Sequence, residues 1–486
     1  MNSQDILPIS ILTEYPTVNE GAIDSLLSEE RKEFSRKIIV LDDDPTGVQT
    51  VHGVYVYTDW EESTIEAGFD APESMFFLLT NSRGFTKEET IQVHTLIAER
   101  IGRIAKRRQQ DFILLSRGDS TLRGHYPLET QCLADTLLRT ADLITDGEIL
   151  FPFFKEGGRF TLNNIHYVQD QDTLVPAGAT EFAKDKSFGY TASHLGDYIE
   201  EKSQGAYLAK DCIYISLEML RNIQLDVITD RLLHAENVSR IVVNAIDYID
   251  VKIFCIAWIR AMKQGKHYIA RTAAALPKII GNIDSIPLLT KQDLITDQTQ
   301  NGGIVMIGSY VQKTTAQLEC LMQSNQDIVF LEFNVSAYFA AQGLNAEVTR
   351  ILAQAENHIS NGQTVVIYTS RQLLIPDSTD ADRILEAYVQ ISDSLTNIIH
   401  LLSVKPRFIL AKGGITSSDV GTKGLHVKKA LVMGQIQKGI PVWMTGAESK
   451  FPHTPYIIFP GNVGQVDSLR LIVEELSVAF ERSSFS

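Results

Sequence analysis

From Lys37 to about Asn282, short β-rich apolar runs alternate with amphipathic stretches, and this rhythm constrains the fold more than any other feature of the chain. Lys37-Ile38-Ile39-Val40-Leu41, Met75-Phe76-Phe77-Leu78-Leu79, Phe112-Ile113-Leu114-Leu115 and Ile149-Leu150-Phe151 read as short buried strands. Ile213-Tyr214-Ile215 and Ile241-Val242-Val243 add two more. Thr90 to Arg107 reads as a helix whose apolar stripe is Ile91, Leu96, Ile97, Ile101 and Ile104. Strands alternating with helices predict an α/β fold with a largely parallel sheet covered on both faces.

The alternation restarts after a polar stretch. Ile304-Val305-Met306-Ile307, Ile328-Val329-Phe330-Leu331, Val365-Val366-Ile367-Tyr368, Phe408-Ile409-Leu410 and Tyr456-Ile457-Ile458-Phe459 are the strands expected there. At 486 residues the chain exceeds the size at which one core stops growing, so two α/β domains are expected. The boundaries read as a helical lead-in over 1–35, with Ile23, Leu26 and Leu27 at helical spacing, a first domain over 36–289, a linker over 290–303 and a second domain over 304–486.

The ends of the strands carry the chemistry. The first run leads into Asp42-Asp43-Asp44-Pro45-Thr46-Gly47, the second into Thr80-Asn81-Ser82-Arg83-Gly84, and the third into Ser116-Arg117-Gly118-Asp119-Ser120-Thr121-Leu122-Arg123-Gly124-His125. The fourth leads into Pro152-Phe153-Phe154-Lys155-Glu156-Gly157-Gly158-Arg159. Open α/β sheets bind ligands at the carboxyl ends of their strands. Guanidiniums there can hold a carboxylate or phosphate through paired hydrogen bonds, and Asp119 can take a proton or hold a metal ion. Three adjacent aspartates repel one another, and a nearby cation or basic ligand relieves that. Read singly, the loop over 116–125 is also a polar turn with Arg–Asp pairs and a capping Ser, and the aspartate loop also a solvated turn after an edge strand; four such strand ends together favour one converging polar site.

In the second half, Phe408-Ile409-Leu410-Ala411 runs into Lys412-Gly413-Gly414-Ile415-Thr416-Ser417-Ser418-Asp419. Glycines let backbone amides approach a phosphate, and a following helix supplies unpaired N–H donors. The other reading is a tight turn whose Thr416 or Ser418 caps the helix. Pro460-Gly461-Asn462-Val463-Gly464 ends the last strand similarly, and Gly308-Ser309, followed by Thr314 and Gln317, ends the domain's first. Neither a P-loop nor a dinucleotide-binding GxGxxG is present.

A net charge of -16 argues against nucleic acid or an anionic membrane as a main partner, without excluding a small anionic substrate. Cys132, Cys212, Cys255 and Cys320 are widely spaced, which fits a reducing compartment and neither a disulfide framework nor a zinc site. With no signal-like N-terminal segment and no apolar run long enough to span a bilayer, a cytoplasmic location is expected.

Taken in order, these loops resemble the four-carbon acid sugar kinase family. Its DD-x-TG turn is similar to Asp43-Asp44-Pro45-Thr46-Gly47, its arginine after the third strand to Arg83, and its DST-x-x-G loop to Asp119-Ser120-Thr121-Leu122-Arg123-Gly124. Its P-x-F…GR-x-T segment resembles Phe151-Pro152-Phe153 through Thr161. The TEFAKD and RTAA stretches stand here as Thr180 to Asp185 and Arg271 to Ala274. Gly308, Ser309, Thr314 and Gln317, the double glycine Gly413-Gly414-Ile415-Thr416 and the closing Gly461-Asn462-Val463-Gly464 match the second half. Departures are Pro45 in place of an aromatic, an additional Asp42, Ser116-Arg117 in place of lysines, and Tyr310-Val311 in place of small polar residues.

The resemblance implies a sugar-acid domain followed by a nucleotide-binding domain, with the active site in the cleft between them. It implies ATP- and Mg²⁺-dependent phosphorylation of a four-carbon sugar acid of the tetronate or oxo-tetronate class. Asp119 is then the preferred base or hydroxyl-orienting residue, with Asp43 and Asp44 as rivals for that role or for Mg²⁺. Arg83, Arg117, Ser120, Thr121, Arg123 and Arg159 fall to the sugar acid or its phosphate, and Ser309, Gly413, Gly414, Ile415, Thr416 and Gly461 to ATP. Protein metal ligands are not assigned, and a homo-oligomer is left open. A metal-dependent aldolase or hydrolase of sugar-acid phosphates would use the same acids and arginines without a nucleotide. An ATP-binding sensor would keep the glycine loops without needing Asp119.

Overall fold

The structure is a computed structural model and describes residues 5–296, 299–309, 311–340, 343–370, 381–461 and 463–477. Tyr310 and Asn462 of the motifs above lie outside the described residues. Numbered along the chain, the strands of the first half are β1 (Leu7–Pro8), β2 (Lys37–Asp42), β3 (Val54–Tyr57), β4 (Met75–Leu79), β5 (Phe112–Arg117), β6 (Gly147–Phe151), β7 (Arg159–Leu162), β8 (Ile165–Asp170), β9 (Thr173–Pro176), β10 (Ile213–Ile215), β11 (Ser239–Val243) and β12 (Tyr268–Thr272). Those of the second are β13 (Ile304–Ile307), β14 (Ile328–Phe333), β15 (Thr364–Thr369), β16 (Ile409–Lys412), β17 (Lys429–Gln437), β18 (Ile440–Thr445) and β19 (Pro455–Phe459). The chain divides into two compact units, Met1–Ser285 and Ile286–Ser486.

In the first unit the strands run in the order β10-β11-β6-β12-β5-β2-β4-β3, every neighbouring pair parallel. Period-two geometry sends Ile39 and Leu41 of β2 into a core with Ile97, Ile101 and Ile104 of the helix Lys87–Arg108 and Leu133 and Leu137 of the helix Leu128–Ala141. Ile38 and Val40, equally buried, point to the other face. This two-sided burial is why the strands read as unbroken apolar runs. The helix Lys87–Arg108 begins at Thr86, whose hydroxyl accepts from the Glu89 amide at 3.2 Å while the Glu89 carboxylate accepts from the Thr86 amide at 2.8 Å. Its stripe is narrower than expected: Ile91 and Leu96 are exposed, and Ala98 and Ala105 take their places in the core.

A second, antiparallel sheet of order β1-β9-β8-β7 was not expected, because its strands alternate in polarity and sit among motif residues. It takes up the start of the lead-in through Leu7 and Pro8, so 1–35 is helical only in part, chiefly over Glu20–Arg31. In that helix Ile23 and Leu27 are buried and Leu26 is exposed.

In the second unit the order is β17-β18-β19-β16-β13-β15-β14. From β19 to β14 the pairs are parallel; β17–β18 and β18–β19 are antiparallel. The segment read as a linker is not a bare tether. Thr290 and Asp293 cap a short helix, Lys291–Leu294, and Leu289, Leu294 and Ile295 enter the second unit's core beside Val305, Ile457 and Ile472. The linker's many polar residues hid Leu294 and Ile295, and Leu289, read as the end of the first domain, packs with the second unit instead. No helix of the described residues is long and apolar enough to cross a membrane.

Candidate functional site

Register brings the polar loops of the first unit to one level. Asp42 at the end of β2 lies opposite Leu79 of β4 and Arg117 of β5; Arg117 lies opposite Thr272 of β12, and Thr272 opposite Phe151 of β6. The loops after five adjacent strands therefore start from one rim of the sheet, where open parallel sheets bind ligands.

The three aspartates find their counter-charges in the chain itself. Arg83 holds Asp43 through two bonds, Nη2 to Oδ1 at 2.7 Å and Nε to Oδ2 at 3.2 Å, and reaches Asp44 Oδ2 at 3.2 Å with Nη1. Arg117 lies beneath, 3.1 Å from Asp42 and 3.2 Å from Asp43. Burial alone would raise the Asp44 pKa, but Arg83, Arg117 and the Thr46 amide hold it below the usual range. Burial wins at Asp42, which is pushed up to about 7 despite Arg117. Gly47 is fixed here, since a Cβ would overlap the Asp42 carboxylate.

Asp119 accepts from Arg123 Nε at 2.6 Å and from the Thr121 hydroxyl. Burial opposes its charge, yet Arg83, Arg123 and these bonds keep the carboxyl well below its ordinary value. Asp119 is thus a firmly ionised acceptor with little proton affinity. Arg123 and Arg159 both lie against the Phe182 ring, their guanidinium carbons 5.2 and 5.6 Å from its centroid. Arg83, Asp43, Asp44, Asp119, Arg123 and Arg159 thereby form one connected cluster, with Thr121 bonded into it and Arg117 at its floor. Ser120 contributes through its backbone. No group of three or more His, Cys, Asp or Glu side chains suited to a metal occurs among the described residues.

The Asp119 loop is held from outside by groups whose roles the sequence did not disclose. Three successive carbonyls are satisfied: Ser120 by His166 Nε2 at 2.8 Å, Thr121 by the Tyr190 hydroxyl at 2.7 Å, and Leu122 by the Tyr198 hydroxyl at 2.8 Å. Burial lowers His166 to about 4, so the ring is neutral. Since a carbonyl only accepts, Nε2 carries the proton and Nδ1 accepts from the Thr161 hydroxyl at 3.0 Å. Below the loop, Arg271 is buried against Gly118 and Gly124, where any Cβ would overlap its guanidinium. It pairs with the buried Glu129 and donates to Ser116 Oγ at 3.1 Å.

In the second unit, Ile307 of β13 lies opposite Lys412 of β16, and Lys412 opposite Phe459 of β19, so three glycine-bearing loops meet at one level. Gly413 has φ +121°, a conformation that L side chains rarely adopt. A Cβ on it would lie 3.1 Å from Ser309, and one on Gly308 would overlap Thr416. Thr314 Oγ1 is 3.1 Å from the Gly461 carbonyl and 3.4 Å from Ser309 Oγ; Gln317 donates to the carbonyls of Val463 and Gln465 at 3.1 and 2.7 Å. Neither Thr416 nor Ser418 caps the helix Gly414–Asp419: Gly413 is its first flanking residue, with no side-chain cap. Ile415 is exposed on this rim.

Residues 38–280 match the family model of a sugar-binding N-terminal domain, and residues 304–469 that of a nucleotide-binding C-terminal domain. The chain belongs to the four-carbon acid sugar kinase family. Two solved structures share the fold of this family member. One is a candidate tRNA synthase from Salmonella typhimurium LT2, at TM-score 0.62 and 15% identity over 90% of this chain and 98% of that one. The other is Haemophilus influenzae protein HI1011, of domain family DUF1537, at 0.59 and 14% over 90% and 100%. No curated protein sequence matches the chain. As in the family's organisation, the acid- and arginine-rich rim falls in the sugar-binding domain and the glycine rim in the nucleotide-binding one.

Proposed function

We propose that the protein is an ATP-dependent kinase that phosphorylates a hydroxyl of a four-carbon sugar acid of the tetronate or oxo-tetronate class. The observation that carries this reading is the cluster of Arg83, Arg123 and Arg159 around Asp119 at the strand ends of a sugar-binding domain. Guanidiniums suit the acid's carboxylate and the incoming phosphoryl group. An ionised acceptor suits the hydroxyl.

Phosphoryl transfer through a loose transition state asks the protein for positioning and charge neutralisation more than for a strong base. The sugar hydroxyl oxygen attacks the γ-phosphorus, the bond to the β-phosphate oxygen breaks, and ADP leaves. Asp119 orients the hydroxyl by accepting its hydrogen bond, a role that its low proton affinity permits. Arg83 and Arg123 bind the acid, with Thr121 and Ser120 shaping the loop and Arg117 as their support, and Arg159 faces the transferred group. In the second unit Ser309, Gly413, Gly414, Ile415, Thr416 and Gly461 hold ATP. Mg²⁺ would be carried chiefly by the nucleotide's phosphates and would neutralise their charge, with Asp43 or Asp44 as this chain's candidate carboxylates toward it. A cytoplasmic location completes the proposal.

The test is ADP release measured by a coupled assay against tetronic acids and their oxo derivatives, with Mg²⁺. ADP formation is expected only when an acid is present. Equal rates with and without every acid would sink the reading.

A further inference from the structure

Lys412 has an environment that a lysine seldom keeps. It is the last residue of β16, completely buried. Its Nζ donates to the Pro460 carbonyl at 3.1 Å and sits 3.7 Å from the centre of the Phe459 ring. No carboxylate of the described residues pairs with it. Around it β13 presents Ile307, β19 presents Phe459, and the helix Gln312–Met322 brings Lys313, a second cation, while that helix's one acid, Glu319, is exposed to solvent. On the helix Gly414–Asp419 the one acid, Asp419, is engaged with Lys423 and Ser392. The ammonium is therefore a cation without an anion, directly under the loops of Ser309, Gly413 and Gly461.

We propose that Lys412 couples nucleotide binding to proton uptake, its ammonium becoming the counter-charge of the polyphosphate that the three loops receive. This rests on the nucleotide reading of those loops. Burial, reinforced by Lys313, lowers Lys412 to about 7, so in the free protein much of it is neutral at physiological pH. A polyanion placed above it favours the charged form and takes a proton from solvent. Lys412 acts as a positioning residue as well, since its bond to the Pro460 carbonyl fixes the start of the loop that carries Gly461.

The sign follows from linkage. The bound state has the higher lysine pKa, so the gain in affinity is complete below about pH 7 and is lost as pH rises through the bound-state value. Across that window affinity falls by up to roughly tenfold per pH unit.

The experiment is calorimetric titration of the full chain with ATP and excess Mg²⁺ near pH 8, in two buffers of different ionisation enthalpy. Wild-type protein is expected to take up roughly half a proton or more per nucleotide. Lys412→Arg, which keeps the cation and cannot release it, should bind ATP with buffer-independent heat and a flat affinity between about pH 7 and pH 8.5. Lys412→Met should bind ATP at least roughly tenfold more weakly near pH 7. If Lys412→Met does not fold, wild type and the arginine variant decide the matter alone. Wild-type binding with buffer-independent heat overturns this proposal and leaves the nucleotide reading standing. No ATP binding by a folded wild type overturns both.

Discussion

Asp119 and Asp42 are carboxylates at the ends of neighbouring parts of one rim, and their surroundings move them in opposite directions. Asp119 is kept charged by Arg83 and Arg123 against the cost of burial; Asp42, under Gly47, is not sufficiently compensated by Arg117. If Asp119 orients the attacking hydroxyl, Asp119→Asn should lower turnover per folded molecule by roughly a hundredfold and leave ATP affinity little changed, with some loss of stability from its broken pairing with Arg123. If it serves only to pair with Arg123, stability should fall and turnover per folded molecule should hold; Asp43→Asn and Asp44→Asn belong beside it. Asp42 calls for a different measurement. Its folded pKa of about 7 lies above its unfolded value of 3.8, so the native state binds the extra proton and the wild type loses stability as pH rises between those values. Asp42→Asn lacks this term. The stability of the variant relative to wild type should therefore grow from about pH 4 to about pH 7, by up to about 4 kcal/mol, and level off above. Denaturant titrations at several pH values would show it, and a difference independent of pH would refute it.

Strand ends were legible because a parallel strand buried on both faces leaves an unbroken apolar word that stops where the loop begins. That let Asp43, Arg83, Asp119 and Gly413 be picked out from their positions alone. Glu129 was not legible: it opens a helix, where an acid is ordinary, and only the fold buries it against Arg271. His166 and the two tyrosines escaped for a similar reason, since a residue's aim at a distant carbonyl leaves no periodic trace. Two predictions follow the loops themselves. At Gly461 an added Cβ would meet Ser309 Oγ at 3.5 Å and Gly413 Cα at 3.9 Å, ordinary contact distances. Gly461→Ala should therefore fold normally, and a loss of ATP affinity measured by calorimetry would report the nucleotide rather than strain; unchanged affinity would remove Gly461 from the site. Tyr198→Phe leaves the buried Leu122 carbonyl without its donor. The expected cost is about 1–3 kcal/mol of stability, with a raised KM for the sugar acid and an unchanged KM for ATP. Steady-state kinetics separates that outcome from a purely structural loss, in which neither KM moves.

For the molecule as a whole, the division into a unit ending at Ser285 and one starting at Ile286 places a candidate reporter of the sugar acid, Trp60, in the first unit. Trp60 donates from its indole nitrogen to the carbonyl of Leu79, at 2.9 Å, where β4 gives way to the Arg83 loop. Trp258 and Trp443 are sealed in their respective cores. Sugar acid should change the fluorescence of wild type and not of Trp60→Phe; a response that survives this substitution would place the acid elsewhere. The net charge of -16 repels every substrate of the proposed reaction at long range, so attraction has to be local. Yet Arg83, Arg117, Arg123 and Arg271 each already hold an acid of the chain. On the proposed reading, an incoming carboxylate that takes Arg83 or Arg123 trades places with an aspartate, and that part of its affinity is the small difference between two similar bonds. Such an ion exchanger discriminates by geometry instead of strength. On the proposed reading it should give an uncharged sugar little foothold, and acetate or formate at high concentration should compete for the same guanidiniums.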